Sequence, residues 1–108
     1  MAVILQHNIT TVLTQDLLTV GNKVSNAKYI SIANVHASAT AKVDLFLYKG
    51  DNNYYLLKNY AIAKETTLTL TKENNIAFDN SANGFSLRIQ VDNGDGSTAV
   101  PVDVIINK

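Results

Sequence analysis

Cysteine and tryptophan are absent from this 108-residue chain, and proline and methionine occur once each. Without cysteine there is no disulfide, no thiolate metal site and no cysteine nucleophile. Net charge is missing as well, because nine basic side chains balance nine acidic ones. Such a balance offers no basic stripe for phosphate contacts, so nucleic acid is not an expected partner. It also removes repulsion between copies and favours association. No stretch approaches the run of about 20 apolar residues that crosses a membrane as a helix, and no membrane partner is expected. The opening MAVILQHNITT holds an apolar run behind Met1 but no basic leader, so no signal peptide is expected and synthesis in a cytoplasm is. Asn8-Ile9-Thr10 has the form of a glycosylation acceptor, which has no use without a secretory route.

What is present is aliphatic. Hydrophobic residues make up 46% of the chain and charged residues 17%, a globular and not a disordered composition. One domain over residues 1–108 is expected, with residues 1–8 as a candidate N-terminal arm. The dominant period is two. Phe85 to Val91 alternates strictly, and Thr67-Leu68-Thr69-Leu70-Thr71 repeats the pattern with a threonine outer face. Lys42 to Tyr48 sets Val43, Leu45 and Leu47 inward and Phe46 and Tyr48 on the opposite face. Val100, Val102, Val104 and Ile106 share one face of a last strand.

Tyr29 to Val35, Tyr54 to Leu57 and Ile9 to Leu13 read as further strands, with Ala2 to Leu5 as a separate arm. Thr14 to Leu18 reads as one helical turn closed by Gly21-Asn22. Turn residues separate the strands: Lys49 to Asn53 marks a hairpin, while Asp79 to Gly84 and Asp92 to Gly96 mark tight loops. Pro101 cannot donate to a ladder, which places its strand at an edge or a bulge. The expected fold is all-β, an antiparallel sandwich or barrel, jelly-roll or immunoglobulin-like, of about seven or eight strands. Leu45, Leu47, Leu68, Leu70, Leu87, Ile89, Val102 and Val104 are its expected core.

No constellation with catalytic spacing is evident. His7 and His36 are the only histidines, and no nucleophile sits in an elbow such as G-x-S-x-G. Neither catalytic, cofactor nor metal residues are assigned. Asp92-Asn93-Gly94-Asp95-Gly96 lacks the alternate oxygen ligands and the closing glutamate of a calcium loop, so a β-turn is the expectation. Two groups remain as candidate interface. One is the apolar start Ala2, Val3, Ile4 and Leu5, whose aliphatics are costly to leave in water. The other is the aromatic set Phe46, Tyr48, Tyr54 and Tyr55, able to anchor a protein interface or to stack on sugars.

Several short motifs also occur in order: Tyr55 to Ala63 (YLLKNYAIA), Thr66 to Leu70 (TTLTL), Ile76 to Asn80 (IAFDN) and Val102 to Ile106 (VDVII). From Ile30 onward the chain resembles small virion structural proteins of tailed bacteriophages, marine and cyanobacterial phages in particular. It departs from their pattern at Ala63-Lys64-Glu65, where a proline–glycine turn is usual. The resemblance implies a β-sandwich without catalytic residues or cofactors, located in the virion as a capsid decoration, neck or tail component. It implies homo-oligomers and contacts with major capsid, portal, neck or tail proteins. The alternative is a carbohydrate-binding module for host-surface glycans, built on the tyrosine-rich hairpin Tyr48 to Tyr60.

Overall fold

The computed structural model describes residues 4–21, 27–71, 73, 76 and 78–107. Among them are eight strands: β1 (Ile4–Ile9), β2 (Gln15–Leu18), β3 (Tyr29–Asn34), β4 (Ala41–Lys49), β5 (Asn52–Ile62), β6 (Thr67–Thr71), β7 (Ser86–Asp92) and β8 (Val102–Asn107). They make two four-stranded antiparallel sheets, a first ordered β1-β8-β3-β6 and a second ordered β2-β7-β4-β5. The pairs β1–β8, β2–β7, β3–β6 and β4–β5 nest like one long hairpin rolled into a sandwich. That is the strand order of a jelly roll.

The innermost hairpin turns at Gly50-Asp51, with φ of 60° and 63°, between paired Lys49 and Asn52. Two consecutive positive φ angles suit the right-handed twist of the flanking strands, and glycine with aspartate tolerates them. Alternation then fills the interior. Val43, Leu45, Leu87, Ile89 and Val91 of the second sheet meet Ile30, Ile32, Leu70, Val102, Val104 and Ile106 of the first. Of the expected core, Leu47 and Leu68 are only partly buried; the other six are buried.

Four expectations need correction. Thr14 to Leu18 is no helical turn, since Gln15–Leu18 is strand β2. A register shift between Asp16 and Leu18 buries the consecutive residues Leu17 and Leu18, which breaks the period of two and mimics a helix in the sequence. The first strand ends at Ile9 and does not continue to Leu13, whose side chain is 69% exposed. Tyr54 to Leu57 is the middle of an 11-residue strand, β5. Pro101 precedes β8, which lies inside its sheet and not at an edge. There the proline needs no ladder N–H, and its carbonyl accepts from the Val35 N–H at 3.3 Å.

Candidate functional site

The faces turned away from the core differ in character. On the second sheet, alternation sends Lys42, Asp44, Phe46 and Tyr48 of β4 outward, beside Arg88 and Gln90 of β7 and Asp16 of β2. The Arg88 Nε donates to Asp16 Oδ1 at 2.7 Å, and its guanidinium carbon stands 3.8 Å from the Tyr48 ring centroid. The Tyr48 hydroxyl donates to Asp51 Oδ1 at 2.7 Å, and this bond raises the phenol's pKa above its ordinary value. A cleft of about 310 Å³ runs beside this cluster, lined by Asp16, Tyr48, Lys49, Ser86 and Arg88 among others.

Next to it, Asp44 holds a bulge of β5. Asn59 has φ of 51°, and its N–H donates to Asp44 Oδ1 at 2.7 Å. Lys58 lies 3.4 Å from Asp44 Oδ2, whose charge raises the ammonium's pKa, and 4.6 Å above the Tyr55 ring.

The aromatic candidates do not form one open platform. Phe46 is buried and is corrected as an exposed residue: β4 is an inner strand, and Tyr55 covers the ring at a centroid distance of 5.2 Å. Tyr48 carries Arg88 on its ring. Tyr55 is 44% and Tyr54 51% exposed, but Tyr54 pairs with inward-facing Leu47 and meets Phe85 edge-on at 5.9 Å. Of the N-terminal candidates, Ala2 and Val3 lie outside the described residues. Ile4 opens β1 opposite Asn107, and Leu5 packs against the core of its own domain. Ile4 and Leu5 therefore belong to the first sheet and the aromatic set to the second.

The first sheet's outer face carries Gln6 and Asn8 of β1, Asp103, Ile105 and Asn107 of β8, Tyr29, Ser31 and Ala33 of β3, and the three β6 threonines. Asp103 is its one carboxylate, accepting from Asn8 Nδ2 at 2.6 Å, and no lysine or arginine joins it among the described residues. Ile105 is 38% exposed and borders a groove of about 460 Å³ with Gln6, His7, Asn8, Asp103 and Val104.

His36 and the acidic loops make local hydrogen bonds. His36 Nδ1 accepts from the Ser38 and Ala39 N–H groups at 3.0 and 2.9 Å, which leaves its ring proton on Nε2. Asp92 Oδ1 accepts from the Gly94 N–H at 2.7 Å. Asp95 accepts from the N–H groups of Ser97 and Thr98 and from the Thr98 hydroxyl, and the Ser97 N–H above all lowers its pKa to about 2. No group of three histidine, aspartate or glutamate side chains with metal-binding geometry occurs among the described residues. Sequence reasoning missed Asp16, Asp44 and Arg88; the one available signal was a cation at an outward position of an alternating strand. Comparison with protein-family models, curated proteins and solved structures returns no match.

Proposed function

We propose that the chain is a non-enzymatic structural component of a tailed-phage virion, a capsid decoration, neck or tail part that acts through protein–protein contacts. The observation that carries this reading is the first sheet's outer face. Four strands present uncharged side chains around exposed Ile105, with Asp103 as the single charge among the described residues. Solvent-facing surfaces ordinarily intersperse both signs of charge, and a face with so little charge is cheap to desolvate against another protein. The phage assignment rests on the ordered sequence motifs, which fall on β5, β6 and β8 and the chain between β6 and β7.

Mass spectrometry of purified particles tests the reading, and absence of the chain from intact virions overturns it. Ile105→Lys, which puts a cation on this sparsely charged face while leaving the interior untouched, is expected to fold normally and to lose incorporation.

A glycan-binding module is the second reading, and the cleft beside Tyr48 favours it. Lys49, Ser86 and the Asp16–Arg88 pair there line a cleft beside the Tyr48 ring, the polar–apolar mixture a saccharide requires. Calorimetric titration with host-surface glycans tests it, Tyr48→Ala serving as control; no saturable heat overturns it.

A further inference from the structure

The sandwich has four sheet edges, and they are not equally protected. An edge strand presents unpaired backbone groups, and proteins blunt that liability with shortness, bulges, charge or proline. Both edges of the second sheet are blunted. Strand β2 has 4 residues, a register shift and Asp16, while β5 has two register shifts, a left-handed Asn59 and Lys58. The first sheet's edges are not. Strands β1 and β6 contain no Asp, Glu, Lys, Arg or proline, and both keep an unbroken register with their neighbours.

Strand β6 has a second property. Its sequence Thr67-Leu68-Thr69-Leu70-Thr71 reads the same in both directions. An antiparallel partner related by a two-fold axis through Thr69 therefore sets Leu68 opposite Leu70 and threonine opposite threonine. Both faces of the sheet stay in phase, because leucines face inward and threonines outward in each copy. Matched threonine and aliphatic cross-strand pairs stabilise a ladder.

The hydrogen-bonding phase agrees. The Asn34 N–H donates to the Thr66 carbonyl at 2.9 Å, and Asn34 stands opposite Thr66 in the β3–β6 register. Antiparallel pairs alternate, so Leu68 and Leu70 exchange bonds with β3 while Thr67 and Thr69 turn their N–H and C=O groups to the open side. Thr69 is thus placed to exchange two bonds with its own copy. Beside the edge, Tyr60 is 45% exposed and borders a shallow groove with Thr67 and half-buried Leu68. A two-fold centred on β1 instead opposes His7 to His7 and has no such symmetry of sequence.

We infer that β6 is a self-pairing edge: a second copy of this chain adds antiparallel to it about Thr69, joining two four-stranded sheets into one of eight strands. The inference does not depend on the virion reading, since it uses an edge of the sheet and not the face around Ile105.

Sedimentation equilibrium over a concentration series, with amide exchange read at each concentration, tests it. The wild-type chain is expected to approach twice its monomer mass, with Thr67 and Thr69 amides slowing in parallel and β1 amides unchanged. Thr69 is exposed, so Thr69→Lys and Thr69→Glu should each fold, stay monomeric alone, and dimerise when mixed. Ile105→Lys should dimerise like the wild type, whatever becomes of its incorporation into particles. A wild-type chain that stays monomeric throughout overturns the inference. So does a dimer whose Thr67 and Thr69 amides exchange freely, or a folded Thr69→Lys that dimerises alone.

Discussion

A single buried amide, that of Asn34, holds the ends of two strands together. Asn34 is 1% exposed, and its Nδ2 donates to the carbonyls of Ala39 and Ile62 at 2.8 and 2.9 Å. Its Oδ1 accepts from the His36 N–H at 3.0 Å, so one amide ties β3 to the end of β5 and closes the following turn. Asn34→Ala strands all three backbone groups, each costing about 1–3 kcal/mol when buried without a partner. A loss of about 3 kcal/mol or more is expected in urea denaturation. Asp95 gives a pH prediction at the same scale. Its folded pKa of about 2 lies below the ordinary 3.8, so the carboxylate's contribution is complete above 3.8 and is lost as pH falls through about 2. Asp79, held low first by the Ser81 N–H, has the same sign. A carbon-detected titration should place the Asp95 midpoint near the lower value, and Asp95→Asn should flatten that part of the stability profile. A midpoint at the ordinary value would show that the loop does not hold the carboxylate.

At the scale of elements, the turn between β6 and β7 is set by Gly84. The Phe85 N–H donates to the Asp79 carbonyl at 2.7 Å, and Asn80 Nδ2 bridges the Thr19 and Phe85 carbonyls at 2.9 Å each. A Cβ on Gly84 would collide with that same Asp79 carbonyl oxygen, which the turn cannot move without losing the Phe85 bond. Gly84→Ala is therefore expected to cost about 1–3 kcal/mol, the usual range for forced overpacking, read from the denaturation midpoint. Turns and strands were legible where each residue's environment follows from its own neighbours. Strands β4, β6, β7 and β8 alternate because one side faces the core and the other does not. Strand β5 is mostly exposed on both faces, so its length left no alternation to read. Strand β2 was hidden by its bulge. The site was less legible still: Arg88 and Asp16 are 72 positions apart, and Tyr55 covers Phe46 only because of a register that two shifts have altered. Local pattern reports burial on one strand, and contacts between strands depend on pairing that it does not contain.

For the whole molecule, the nested order makes the outermost pair the one most distant in sequence, with Ile4 opposite Asn107 and Ile9 opposite Val102. Such non-local pairing forms only after a large loop-closure cost, so folding is expected on the slow side, in milliseconds to seconds. It also decides what β1 is for. As an arm reaching to a neighbour, it could be removed without harm to the monomer. As the strand that covers β8, it supplies Ile9, 2% exposed, and half-buried Leu5 to the core, and closes six positions of ladder. Losing one such aliphatic costs about 2–5 kcal/mol, against a total stability of about 5–15 kcal/mol for a typical domain. Deleting residues 4–9 should therefore leave a chain without a cooperative thermal transition, whereas Ile9→Ala should keep the transition and lower its midpoint. If the truncated chain instead melts like the parent and only fails to assemble, β1 works as an arm between copies. Leu5 opposite Ile106 and Ile9 opposite Val102, all belonging to one core, favour the first outcome, because those pairings lie within one chain.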